Sequence, residues 1–331
     1  MRRIIATTAA LTALALTMTA CSPQATPQSS SPAPGPTLRV ASMQGPTTIG
    51  LLPMMDQADQ GHASMNYDFS IVGAPDAISA PLVAGNLDIG LIPVNLAAVL
   101  FNQTHGGIKL AAVNTLGVLY VVSGDSTVTQ LSDLAGKTVV STGKGTTPQF
   151  VFEKVLADAG LTDSVTVSYR AQATEVASVL AATPSTIAVL PEPYVTIALA
   201  ANPDVHIVAD LNDAWQQAVG SPLVTGCVAV RTAFAENEIG VLNSFLNEYQ
   251  SSIFIANHEP AYMAPLIVAK NLAPNDDVAK NSIARSHIVF MTGDDAKKAV
   301  GAYLKALFTA NPNAVGGALP DDSFYYNNFN V

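Results

Sequence analysis

The chain has 331 residues, 49% of them hydrophobic and only 12% charged, with a formal net charge of -10. It lacks the lysine and arginine stripe that phosphate contacts require, which excludes nucleic-acid binding, and its apolar content excludes a disordered or adhesive protein. With two cysteines a disulfide framework is excluded as well, so stability must come from a packed core.

In chain order, Met1-Arg2-Arg3 gives a cationic start, Ile4 to Met18 an uncharged stretch rich in Ala and Leu, and Met18-Thr19-Ala20-Cys21 ends it with small residues before a cysteine. This is the pattern of a bacterial lipoprotein secretion signal, residues 1–20, ending in a lipobox. The apolar run is shorter than the ~20 residues that span a membrane. The expected mature N-terminus is Cys21 with diacylglycerol on its sulfur, and residues 21–36 form a Pro/Ser-rich tether. The expected location is therefore extracytoplasmic, anchored to the cell membrane by an N-terminal lipid. Loss of Arg2 and Arg3 takes the charge from -10 to -12. Roughly 310 residues remain, enough for one large or two medium domains. If Cys21 carries lipid, Cys227 has no disulfide partner. Within Gly226-Cys227-Val228-Ala229-Val230 it reads as a buried strand thiol.

From Thr37 onward, β-type runs alternate with helical patterns: 38–43, 67–73, 87–93, 109–123, 137–142, 165–170, 186–191 and 205–211. Such alternation predicts α/β architecture with largely parallel sheets. Laid on itself at a shift of 98 residues, the chain matches again. Ser70 to Ile78 meets Ser168 to Val176, Leu82 to Gly85 meets Leu180 to Thr183, and Asp88 to Pro93 meets Thr186 to Pro191. Thr47-Thr48 meets Thr146-Thr147 at a shift one residue longer. Whole α/β units in order at nearly one offset predict two similar lobes with a cleft between them. In open α/β sheets ligands bind beyond the carboxyl ends of the strands, so corresponding loops of both lobes should face that cleft.

After the second lobe, Ile239, Leu242, Phe245, Leu246, Tyr249 and Ile253 recur at helical spacing, as do Val300, Tyr303, Leu304 and Leu307. These helices are expected to return to the first lobe, giving lobe 1 as 37–122 with 227–331 and lobe 2 as 123–226. The chain would cross near Val121 to Asp125 and near Ser221 to Cys227, and the crossings would act as hinges.

Candidate ligand contacts follow from this register. In the second lobe, Thr142, Gly143, Lys144, Gly145, Thr146 and Thr147 lie between strand and helix. Glycines there allow close backbone approach, and the helix start offers N–H groups to an anion or polar ligand; an ordinary capped turn is the other reading. The segment is not a P-loop, which needs GxxxxGK[ST]. At the equivalent helix start, Glu192 either accepts from a ligand N–H beside Tyr194 or merely favours the helix dipole. First-lobe partners are Met43, Gln44, Gly45, Thr47, Thr48, Asp76 and Asn95, of which Met43 serves equally well as core. The five histidines are scattered without the pairing of a metal site, and no metal is expected. There is no GxSxG elbow or Ser/His/Asp arrangement, so no catalytic residue is assigned.

Lipobox, tether, lobes and returning C-terminus together resemble the extracytoplasmic solute-binding proteins of ABC importers. The resemblance is to the NitT/TauT (SsuA-like) family of nitrate, taurine, sulfonate and thiamine-pyrimidine binders. It covers about Thr37 to Asn311 and is carried by LVAGNLDIGLIPVNLAAVL, LSDLAGKTVVSTGKGTTPQFVFEKVLADAGL and IAVLPEPYVTIAL. It implies a type II periplasmic-binding-protein fold, two α/β lobes joined by a two-segment hinge, that closes on a small-molecule solute. Partners would be a permease and its ATPase, with no cofactor and a monomeric chain. It also implies ligand contacts from Gln44 to Thr47, Asn95, Thr142 to Thr147 and Glu192 to Tyr194. One departure stands out. Lys144 is the sole cation in these loops while Asp76 and Glu192 are acidic, which points to a neutral, zwitterionic or heterocyclic solute rather than a simple sulfonate. Two alternatives stay open: an enzyme built on the same two-lobe fold, and a ligand-sensing lipoprotein.

Overall fold

Each β-rich run between polar turns forms a strand, and most are followed by a helix that covers it. The computed structural model describes residues 37–329, so the expected signal, tether and Cys21 anchor lie outside the described residues. The chain begins with β1 (Leu38–Met43), α1 (Pro46–Ile49), α2 (Leu52–Asp59), β2 (Tyr67–Val72), α3 (Asp76–Ala84), β3 (Ile89–Pro93), α4 (Val94–Gln103) and β4 (Ile108–Leu116). It continues with β5 (Leu119–Ser123), β6 (Thr138–Thr142), α5 (Thr147–Asp158), β7 (Thr166–Arg170), α6 (Ala173–Ala182), β8 (Ile187–Pro191), α7 (Tyr194–Ala201), β9 (His206–Asp210) and α8 (Leu211–Val219). The remainder is β10 (Val224–Arg231), α9 (Thr232–Asn237), α10 (Ile239–His258), α11 (Pro260–Ala269), α12 (Asp276–Ser282), β11 (Ile288–Met291) and α13 (Gly293–Ala310).

Two sheets result. The first has the order β11-β4-β10-β3-β1-β2 and the second β7-β6-β8-β5-β9. β1 runs parallel to β2 and β3, as β6 does to β7 and β8. Beside β3 lies antiparallel β10, and beside β8 lies antiparallel β5. The shared order is the structural form of the 98-residue repeat. In each sheet the inserted antiparallel strand is the one that arrives directly from the other sheet.

The run read as one stretch over 109–123 is two strands in different sheets. Gly117 divides it, and the passage to the second sheet therefore lies at 117–118, ahead of the 121–125 expected. Only glycine fits there, since a Cβ would sit 2.7 Å from Asn212 Cβ and 2.8 Å from Leu223 Cδ2. The return passage, 220–223, follows α8, which Asp210 caps through the Asn212 N–H and Gly220 ends in the left-handed region at φ 71°. β11 had no counterpart among the expected strands.

Period-2 alternation sorts the strand residues onto two faces. Cys227 and Ala229 of β10, Val121 of β5 and Val189 of β8 belong to one buried cluster that lies against both sheets and takes in residues of α4, α5, α8 and α13. Val228 and Val230 face a second cluster with α2, α10, α11 and α12. Tyr120, Val122, Ala188 and Leu190 face a third with α6 and α7. At the amino ends of β1 and β3, Asp88 accepts from Arg39 Nε (2.9 Å) and Nη2 (2.7 Å) and from Arg231 Nη2 (2.7 Å), tying three strands of the first sheet together.

Candidate functional site

The turn after β3 in the first sheet and the loop after β6 in the second meet. This neutral contact joins two helix starts. Thr147, at the start of α5, donates from Oγ1 to Oδ1 of Asn95, at the start of α4, over 3.2 Å. The Tyr303 hydroxyl of α13 is 3.2 Å from the same threonine oxygen, and since that hydroxyl's proton goes to Asn95, Tyr303 is the donor to Thr147. Asn95 Nδ2 donates in turn to the Ala314 carbonyl at 3.3 Å. Tyr303 is fully buried, and burial pushes its hydroxyl far above the ordinary tyrosine range, so it stays a neutral donor.

The first sheet also holds a buried polar cluster. Asn114 of β4 donates from Nδ2 to the Tyr249 hydroxyl at 2.9 Å and to the Thr47 carbonyl at 3.4 Å, and Thr115 Oγ1 donates to Asn114 Oδ1 at 3.0 Å. The register of β10 against β4 is irregular here, at Gly226. A Cβ at Gly226 would lie 2.6 Å from Asn114 Oδ1, so glycine makes room for the amide.

A second, charged contact also joins the two halves. Arg285, in the 3-10 turn Ala284–Ser286 between α12 and β11, donates from Nε to Glu192 Oε1 at 2.5 Å. Its Nη2 donates to Thr196 Oγ1 at 2.5 Å and to the Asn281 carbonyl at 3.2 Å. Glu192 also accepts from Thr196 Oγ1 (2.9 Å) and from the Thr196 N–H (3.2 Å) in the first turn of α7. Its side chain is 0% exposed. Burial raises its pKa above the ordinary glutamate value despite the opposing hydrogen bonds and charge of Arg285. The Arg285 carbonyl accepts from the Tyr120 hydroxyl of β5 at 3.0 Å.

The sequence-derived residues divide among several roles. Asn95 and Thr147 meet directly, and Thr47 meets Asn114 through its carbonyl. Thr48 is buried and donates to the Met43 carbonyl at 2.5 Å, with Ser42 Oγ at 2.8 Å, so its hydroxyl fixes the turn after β1. Met43 is half-buried against the shared cluster. Gly45 takes φ 130° ahead of α1, and exposed Gln44 donates to the Asn271 carbonyl at 3.4 Å. In the other loop Gly143 and Gly145 take φ 72° and 78°, Thr146 Oγ1 donates to the Gly143 carbonyl at 2.7 Å, and the Gly145 N–H donates to Gln149 Oε1 at 2.6 Å. Thr142 is buried at the end of β6, and Lys144 is exposed at the tip of the loop. Asp76 is exposed in the first turn of α3. Glu192 has its carboxylate engaged by Arg285 and the start of α7, while Tyr194 packs half-buried on the third cluster. Arg285, Asn114 and Tyr303 carry no local motif that marks them.

Among the described residues no group of three or more His, Cys, Asp or Glu is arranged to hold a metal ion, and no helix is long and apolar enough to cross a membrane. Comparison with curated proteins gives no match. Residues 46–308 match the family model VitK2_biosynth, described as menaquinone biosynthesis. The chain belongs to this family. Members of the VitK2_biosynth family are not the only proteins of this shape. An ABC transporter structure from Parabacteroides distasonis is similar to the chain with 25% identity and a TM-score of 0.75, over 87% of this chain and 98% of that one. The aliphatic sulphonate binding protein SsuA of Escherichia coli shares 14% identity at a TM-score of 0.69, over 85% and 94%. The alkanesulfonate-binding SsuA of Xanthomonas axonopodis pv. citri, bound to MOPS, shares 15% at 0.63, over 87% and 96%. The fold is thus that of the periplasmic binding proteins, two α/β sheets joined by two chain passages.

Proposed function

We propose that the chain is an extracytoplasmic solute-binding protein of an ABC importer. It is tethered by lipid at Cys21, acts as a monomer and captures a small polar organic solute between its two sheets for delivery to a permease. The observation that carries this reading is the Thr147–Asn95 contact. It joins loops at the carboxyl ends of strands in two separately built sheets, the location at which open α/β sheets take ligands. The structural relatives described as ABC transporter or sulfonate-binding proteins support the same reading.

In the proposed site the solute lies among Met43, Gln44, Gly45 and Thr47 of one loop, Asn95, the 142–147 loop and Tyr194. Thr48 and Glu192 hold the surrounding turns. With Glu192 and Arg285 offsetting each other, the groups left to meet the solute are mostly neutral donors and acceptors, which favours a neutral, zwitterionic or heterocyclic solute. Calorimetry against a panel of small metabolites tests this, with native mass spectrometry of freshly purified protein to find a retained solute. One stabilising solute, released unchanged, is the expected outcome. A protein that binds nothing, or that consumes a metabolite, refutes it.

The second reading is an enzyme in the same junction, favoured by the family match over residues 46–308. Incubation with a sub-kilodalton metabolite extract, followed by mass spectrometry, separates the two. A solute that disappears as a product rises supports catalysis, and one recovered intact supports capture.

A further inference from the structure

Trp215 is the chain's single tryptophan. It is fully buried in α8, with its ring 5.7 Å from that of Tyr303. Tyr303 reaches Thr147, and Thr147 reaches Asn95, so the indole stands one ring away from the contact between the two sheets' loops. Among the described residues its Nε1 is the one buried side-chain nitrogen or oxygen without a hydrogen-bond partner. A buried N–H with no acceptor is left without the bonds it makes in water, and folded proteins leave few such groups. The surroundings have the same polarity. Helices α4 and α5, of 10 and 12 residues, begin at this contact without side-chain caps, and helix starts carry spare N–H groups and positive dipole ends.

We propose that Trp215 is the specificity-determining donor of this junction: its indole N–H bonds an acceptor atom of the solute held between Asn95 and Thr147. The inference rests on the solute-binding reading above and adds to it the chemistry of one position. Indole is a donor only. A solute presenting an oxygen or an unprotonated ring nitrogen there is accepted, and one presenting N–H or C–H leaves the donor unpaired. Removing the donor should weaken binding about tenfold.

The test uses the full chain, labelled with 15N so that its one indole gives one resonance, and the Trp215→Phe variant. Both are titrated with ethanesulfonate, with pyrimidine and with the sub-kilodalton fraction of a bacterial lysate, and thermal stabilisation and indole shift are read together. The expected result is stabilisation of the wild type by at least one probe, a moved indole resonance, and about tenfold weaker binding by a folded Trp215→Phe. Unchanged affinity in the variant overturns the assignment and leaves solute binding standing. So does weaker binding with an unmoved wild-type resonance, which marks a packing effect. If the variant does not fold, the wild-type resonance decides alone. If no probe stabilises the wild type, the solute-binding reading fails and this inference fails with it.

Discussion

Two of the polar contacts that join the halves of the molecule have opposite chemistry. Arg285 and Glu192 form an ion pair with the carboxylate fully buried, whereas Thr147, Asn95 and Tyr303 form a neutral chain of hydroxyls and an amide. Burying the carboxylate costs desolvation that the guanidinium only partly offsets, so the pair adds little net stability but punishes misalignment. The neutral chain is weak and exchangeable, because a hydroxyl that leaves one acceptor for another of similar strength changes the free energy little. The charged contact therefore suits a fixed reference between the halves, and the neutral one suits a place where a solute substitutes for protein.

The largest expected effect comes from removing one charge. Arg285→Met leaves Glu192 buried without its partner and should cost about 3 kcal/mol in urea unfolding, while the double variant with Glu192→Gln should recover part of that loss. A single-variant cost below about 0.5 kcal/mol would deny the ion pair any role as a reference point. Next comes the passage beside it. Gly117→Ala drives a Cβ into Asn212 and Leu223 and should cost about 2 kcal/mol; a neutral result would mean that the passage adjusts freely. Thr147→Val keeps the shape of the neutral contact without its hydroxyl and should cost about 1 kcal/mol in the same assay. A loss as large as that of Arg285→Met would erase the distinction between the contacts.

The smallest effect is a pH slope. Burial holds the folded pKa of Glu192 above the ordinary glutamate value of 4.5, so between those two values the folded protein holds the proton more readily than the unfolded chain. Its stabilising contribution is complete below 4.5 and is lost as pH rises through the raised folded value. Urea midpoints of wild type and Glu192→Gln, compared from the acid side of that window upward, should diverge with the wild type falling. Parallel curves would show that Glu192 does not titrate in this range.

The strand pattern was legible because alternating apolar residues and proline- or glycine-marked turns are local signals. Leu38 to Met43 and Thr166 to Arg170 show it. The break at Gly117 was not, since its cause is the distant side chain of Asn212 and not the neighbouring sequence. β11 is only four residues long and pairs irregularly with β4, too little for a periodic signature. In the site, Asn95 and Thr147 emerged because the repeat aligns the loops that carry them. Glu192 was visible as an acid at a helix start, but its partner lies 93 positions further on, and no spacing rule links an arginine in one turn to a carboxylate in another. Tyr303 stood among residues at helical spacing, Trp215 carried no local signal, and only the geometry separates a buried ring from a buried ring with an idle N–H.

The inserted strands have a consequence for synthesis. The second sheet is complete within an unbroken stretch, β5 to β9, residues 119–210, while the first lacks its central strand until 224–231 is made. In a chain that emerges amino end first, the later half can thus finish its sheet while the earlier half still exposes the β3 and β4 edges that β10 will join. The sheet begun first is the one closed last, and until then its unpaired edges are the ones open to wrong partners.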